Sequence, residues 1–346
     1  MTTLADDQVA SRDRGETMAV RAIGGMLRAA IVCCLIHVAA AADEYASRPV
    51  NLIVPFTPGG SVDFVARLLA PKLSAALRQP VVVINVPGGS GAIATMRVIN
   101  AVPDGYTLEV VTPRELSTSK LINPNVTFDA ARDLAPIGLV ARSPIVIVGG
   151  DTVRDARTLD DLIAFARKRP GQLTYATSGV GSPQHLLGEL LKLRTGADMV
   201  HVPFSGGAGG VLEVLGGHVD LSIVTLSSAL EYIKAGKLRA FGIAEPQRSP
   251  FAPDIPALAE RQGLGDVDMG IWYGLVAPAR TPPAIVALLN RHLGEALRDP
   301  QVIAKLHAQT IAVIGGSPAD FEAYARRDAA WYRDIVATAH IRIDVN

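Results

Sequence analysis

The stretch NLIVPFTPGGSVDFVARLLAPKL, residues 51–73, runs from a short apolar segment through Pro-Gly-Gly into a second apolar-rich segment of different period. In that second segment Val65, Leu68, Leu69, Leu73 and Ala76 share one side of a helix. The same order of β-branched run, glycine turn and amphipathic run returns in VVVINVPGGSGAIATMRVINAV (81–102), LTYATSGVGSPQHLLGELLKL (173–193) and MVHVPFSGGAGGVLEVLGG (199–217). The apolar runs do not alternate with polar residues, so they predict strands buried on both faces, in a sheet covered by helices. Further strands are predicted at 107–112, 144–150, 221–226, 238–244 and 273–278. Helices are predicted at 283–299 and 318–339, each opened by a proline near its start. The fold class is therefore α/β. Pro71 predicts that the first helix kinks or stops near Ala70, because proline removes a backbone hydrogen bond.

At 346 residues the chain is long enough for two domains of ordinary size. Lys plus Arg equals Asp plus Glu at 33 each, so no basic field draws it to nucleic acid or to an acidic membrane. Arg21 and Arg28 precede the short apolar run AAIVCCLIHVAAAA (29–42), the layout of a secretory signal peptide with an A-x-A-like site at Ala40 and Ala42. Residues 1–42 are thus expected to be removed near Ala42, and the long polar start suggests Met18 or Met26 as the true initiator. Both cysteines, Cys33 and Cys34, fall in this leader, which leaves the mature chain without disulfide or thiolate ligand. His37, His218, His292, His307 and His340 show no metal-ligand spacing, and neither metal nor cofactor is expected.

In an open α/β sheet, ligands bind beyond the carboxyl ends of the strands, where loops enter helix N-termini. The four glycine turns occupy that position, each offering unpaired backbone N–H groups and the positive end of a helix. Neither Gly-Lys-Ser/Thr nor G-x-G-x-x-G is present, so a small carboxylate is expected rather than a nucleotide. Gly60 and Gly89 are expected to need glycine's conformational freedom, and Asp63 to support the first loop rather than touch the ligand. Ser182 is expected to cap a helix whose first residue is Pro183. A competing reading makes Ser182 and His185 the centre of a secreted α/β hydrolase, although no Gly-x-Ser-x-Gly elbow accompanies them. Arg114 follows the strand TLEVVT directly, on the edge where the glycine turns open, and its planar fork suits a second, distal carboxylate. The alternative for Arg114 is a solvated pair with Glu115 or Asp133.

The segments RPVNLIVPFTPGGSVDFVARLLA, VVVINVPGGSGAIA, PDGYTL, GSPQHLLGEL, VHVPFSGGAGGVLEVLGGHVDL and APARTPPAIVALLN resemble those of the Bug, or tripartite tricarboxylate transporter, substrate-binding family. The resemblance spans residues 45 to about 340. It implies a two-lobed periplasmic binding protein of type II, with a ligand cleft between α/β domains joined by crossover strands: domain 1 at 45–141 plus 243–346, domain 2 at 142–242. It implies a non-enzymatic, monomeric receptor that hands a small carboxylate to a membrane permease or senses it. The ligand carboxylate would lie at Phe56, Thr57, Pro58, Gly59 and Gly60 and at Pro87, Gly88, Gly89, Ser90 and Gly91. The rest of the ligand would meet Ser178, Gly179, Ser182, His185, Phe204, Ser205, Gly206 and Thr225. Two departures stand out: Val224 and Thr225 where many relatives carry an acid or amide, which argues against an amine on the ligand, and TPRELSTSK (112–120), which carries Arg114 and Glu115.

Overall fold

The structure, a computed structural model, describes residues 45–204 and 207–341. The predicted leader, residues 1–42, lies outside the described residues, as do Ser205 and Gly206. The chain divides into a unit of residues Met1–Ser47 and a unit of residues Arg48–Asn346, and the fold described below is that of the second.

Each predicted strand and helix of the four glycine-turn units forms. β1 (Val50–Val54) leads to α1 (Ser61–Leu77), and β2 (Val81–Asn85) to α2 (Ala92–Ile99). β3 (Thr107–Val111) follows, then the long β4 (Leu134–Gly149) and α3 (Leu159–Lys168). β5 (Leu173–Thr177) leads to α4 (Pro183–Thr195), β6 (Met199–Pro203) to α5 (Gly207–Leu215), and β7 (Leu221–Thr225) to α6 (Leu226–Lys234). β8 (Arg239–Ile243), β9 (Gly270–Pro278), α7 (Pro283–Leu297), α8 (Pro300–Ala308), β10 (Ala312–Val313) and α9 (Pro318–Thr338) complete the order.

The strands run β2-β1-β3-β9-β4-β7-β5-β6, with β8 and β10 also paired to β4. β1 is parallel to both β2 and β3, and β5 is parallel to both β6 and β7. Each parallel set therefore delivers its loops to a single edge. β4 and β9 are the antiparallel connectors: β4 pairs with β9 as far as Pro144 and with β7 from Ile145. Within β4, Ile145 and Ile147 enter one apolar core while Val146 and Val148 enter another, the two-residue period of a strand buried on both faces. A third core gathers Ile53, Val98, Val111, Leu139, Trp272, Val276 and Phe321. α9 joins two of these cores, contributing Phe321 to the third and Tyr332, Ile335 and Val336 to that of Ile145.

Pro71 does not end α1, which continues to Leu77. Pro71 sits on the exposed face, where water can take the hydrogen bond that proline forgoes, while Val65, Leu69 and Leu73 hold the opposite face in the core.

Candidate functional site

The first glycine turn is built from below by an acid. Asp63, almost fully buried, accepts from the Gly59 N–H at 2.9 Å, from the Asn85 amide at 2.9 Å and from Arg67 at 2.9 Å. Asn85, the last residue of β2, also donates to the Phe56 carbonyl at 2.9 Å. Burial works against the Asp63 carboxylate, but its hydrogen bonds from Arg67, Gly59 and Asn85 prevail and hold its pKa below the ordinary value. Thr57, Pro58, Gly59 and Gly60 are exposed above this support, and no side chain caps the N-terminus of α1. The glycine requirement falls one residue earlier than expected. Gly59 has φ +93°, whereas Gly60 is extended at φ −79°, ψ 171°, with room for a Cβ.

The second turn is left-handed throughout: Gly88, Gly89, Ser90 and Gly91 have φ of 125°, 55°, 54° and 95°. Pro87, Gly88 and Gly89 are exposed, and no side chain caps α2. Both turns therefore present backbone donors at helix N-termini to solvent, the arrangement that binds a small anion.

Arg114 is neither solvated nor paired with Asp133. It is 9% exposed, and Asp133 is engaged by Arg132. Its guanidinium donates to the Ser178 carbonyl at 3.2 Å and stands 6.0 Å from the Phe56 ring centroid. Among the described residues it makes no ion pair within 4 Å. The Glu115 carboxylate is occupied by the Thr112 N–H and hydroxyl, at 2.8 and 2.7 Å. Burial lowers the pKa of Arg114, and the field of Glu115 opposes that shift. The next turn of chain crosses to the third glycine turn, with the Thr118 hydroxyl donating to the Gly181 carbonyl at 2.8 Å and Ile122 closing over Gly181.

The third turn satisfies itself. The Ser182 hydroxyl donates to the Gly179 carbonyl at 2.7 Å and accepts from the His185 N–H at 3.2 Å, capping α4 with Pro183 at its first position. His185 Nδ1 accepts from the Gly181 N–H at 3.1 Å, and the His185 and His201 rings stack with centroids 3.9 Å apart. Burial lowers His185 to about 4, helped by Lys192 and Arg114, and lowers His201 to about 3, helped by His185. The Ser182 proton is thus committed to the Gly179 carbonyl and His185 Nδ1 to the Gly181 N–H, so no base is aimed at the hydroxyl from that nitrogen. Ser178 Oγ turns aside to Gln184 at 3.1 Å. Phe204 is half-buried, with its carbonyl near Gly179, and Thr225 is buried at the start of α6, bonded to Ser228 at 2.9 Å. Val224 belongs to the apolar core with Val146 and Val148, so its lack of charge carries no information about a ligand amine.

Sequence reasoning overlooked Asn85, Thr95, Glu109 and Thr118. Only Glu109 announced itself, as a charged residue inside the apolar strand β3. A cavity of about 670 Å³ lies elsewhere, lined by Arg157, Thr158, Arg194, Phe241, Leu258 and Arg261 among others and by no residue of the glycine turns. Two of its three arginines are engaged in ion pairs, Arg194 with Asp266 and Arg261 with Asp160.

Among the described residues no helix is long and apolar enough to cross a membrane, and no cluster of three potential metal ligands occurs. Residues 65–340 match the model of the tripartite tricarboxylate transporter family receptor. Protein BugT of Bordetella pertussis is 38% identical over 278 residues, 80% of this chain and 85% of that protein. An R. palustris protein solved with adipate is 33% identical at TM-score 0.79, covering 86% of this chain and 99% of the other. MatC from Rhodopseudomonas palustris, solved with malate, is 29% identical at TM-score 0.76, covering 84% of this chain and 100% of the other. The fold is that of the two-domain periplasmic binding proteins, non-enzymatic solute receptors. Within that class the chain belongs to the tripartite tricarboxylate transporter receptor family, which includes the Bug proteins. The hydrolase reading of Ser182 and His185 is thereby set aside, in agreement with the closed hydrogen bonding of that turn.

Proposed function

We propose that this receptor captures a small dicarboxylate, holding one carboxylate at the first two glycine turns and the other at Arg114. The observation that carries the reading is the buried guanidinium of Arg114, with one hydrogen bond to the Ser178 carbonyl and, among the described residues, no carboxylate within 4 Å, although the field of Glu115 reaches it. A cation withdrawn from water at that cost is stabilised by an incoming anion. The dicarboxylates bound by two relatives, adipate and malate, support the same chemistry. The proposal extends to the other site residues named from the sequence except Ser182, whose hydroxyl is committed to its loop, with Asp63 as support and Gly59 in place of Gly60 as the obligatory glycine.

Closure would bring the third turn and Phe204 toward the first two turns, with β4 and β9 as crossover strands. The proposed lobes keep the expected division near 142 and 243, with one refinement that the packing supports: Leu258, Leu264 and Met269, and the end of α9, pack with the second lobe. Export by cleavage near Ala42, a monomeric state and delivery to a membrane permease are part of the same reading.

Native mass spectrometry of the purified protein, followed by calorimetry with adipate, malate and a monocarboxylate of matched length, tests it. A retained dicarboxylate released unaltered is the expected result. Failure to bind any of the acids, or turnover of a bound one, overturns it.

A further inference from the structure

The second glycine turn holds four consecutive residues in the left-handed region, one of them Ser90, which carries a side chain. Such a backbone persists only where its surroundings over-determine it. Two buried acids provide those surroundings. Glu109 is fully buried on β3 and its Oε1 lies 2.9 Å from Thr95 Oγ1, which is itself 3.3 Å from the Gly91 carbonyl. Glu115, 2% exposed, packs its Oε1 against Gly91 where a Cβ would otherwise stand. We infer that Glu109 and Glu115 are positioning residues that fix the Gly88–Gly91 turn from beneath, Glu109 as a neutral acid acting through Thr95. The inference rests on the proposed reading of that turn as a carboxylate site.

The hydroxyl count explains the neutral acid. Thr95 has one hydrogen and two acceptors in reach, so it cannot donate to both. With the proton on Glu109, the acid donates to Thr95 Oγ1 and Thr95 donates to the Gly91 carbonyl, a relay that ends on the turn. Burial raises the pKa of Glu115 as well, but two hydrogen bonds from Thr112 to its Oε2 and the neighbouring Arg114 oppose that shift and favour its charged form over that of Glu109. Burial and the negative field of Glu115 push Glu109 well above the carboxylate range. The charged groups facing the pair are each other and Arg114, and Thr95 and Thr112 supply the hydroxyls. A single buried negative charge is thus set against Arg114, and the anion site is spared a second.

Hydrogen exchange at the hydrogen-bonded amides of Gly91 and Ala92 in the unliganded protein, together with calorimetry using adipate and malate, tests the inference in Thr95→Val, Glu109→Ala and Glu109→Gln. Thr95→Val should lower protection of the turn about tenfold or more while protection elsewhere is kept, and Glu109→Ala should do the same if it folds. Glu109→Gln, which can still donate to Thr95, should stay within about twofold of the parent in protection and in affinity. In the parent, turn protection should fall as pH rises through the Glu109 titration, and in Glu109→Gln it should not. Unchanged protection in Thr95→Val, loss spread over the whole chain, or a Glu109→Gln as poor as Glu109→Ala overturns the inference. If the parent binds neither acid, the dicarboxylate reading fails while the exchange data still decide the roles of Glu109 and Thr95.

Discussion

The first and third glycine turns share a sequence grammar and differ in what they leave free. In the first, Thr57–Gly60 is exposed and α1 begins without a side-chain cap, its loop held from below by the ionised Asp63. In the third, Gly181–His185 is buried, Ser182 caps α4, and two neutral histidines hold the loop. One turn gives its Gly59 N–H to Asp63 and leaves the helix N-terminus beyond it uncapped by any side chain and open to an anion. The other spends its donors on itself and offers a carbonyl, that of Ser178, to Arg114. The glycine pattern alone therefore does not mark an anion site; the capping residue after it decides.

The largest effect expected from this contrast follows valine at Gly59 or Gly89. Their positive φ would force about 1–3 kcal/mol of strain on a side chain and displace the donors. Dicarboxylate affinity should fall about a hundredfold or more, while Gly60→Ala, in extended backbone, should change it by less than about threefold. Calorimetry on the three variants checks this, and equal losses at Gly59 and Gly60 would erase the distinction.

Arg114→Ala comes next. Loss of a charged hydrogen bond should weaken a dicarboxylate by about 1.5–3 kcal/mol. That corresponds to roughly ten- to more than a hundredfold in affinity. A monocarboxylate of the same length should be little affected. Equal losses for both acids would assign Arg114 to general electrostatics.

For Ser182→Ala the expected change is one of stability, about 1 kcal/mol from the lost cap, read by urea unfolding. Ligand affinity should change much less. A variant that lost binding but kept its stability would place Ser182 among the ligand contacts.

The smallest effect is a difference in pH response. His185 and His201 titrate in the fold at about 4 and about 3, against an ordinary 6.5. The unfolded chain takes up protons first, so stability should decline as pH falls below about 6.5 and through the folded values. Asp63, held low in the fold, adds its loss only as pH falls below the ordinary 3.8. Urea unfolding between neutral and acidic pH should therefore show His201→Gln flattening the upper part of the slope. An unchanged slope would remove the histidine pair from the balance.

Much of the architecture was legible because the strands are apolar on both faces and every glycine turn stands between a strand and a helix. β4 was half hidden. The run PIVIVGG (144–150) signals its second half, but Leu134–Ser143 carries Pro136, Gly138 and Arg142, which no local propensity would extend. Pairing with β9, with register shifts at Pro136 and Leu139, makes that segment a strand. The position of Arg114 at a strand end was legible, but its burial was not, since that depends on Phe56 and Ser178, 58 and 64 residues away in opposite directions.

By itself, then, the sequence determined the α/β class, the periodic faces of the helices, the Ser182 cap and the family motifs, because each is written in residues near one another in the chain. Only the tertiary structure decided which glycine carries the left-handed backbone, which turn is open, and that Glu109 and Glu115 lie beneath the second loop. Those outcomes depend on burial and hydrogen-bond partners from distant segments, and a charged group taken out of water is tolerated only where the folded chain brings it donors.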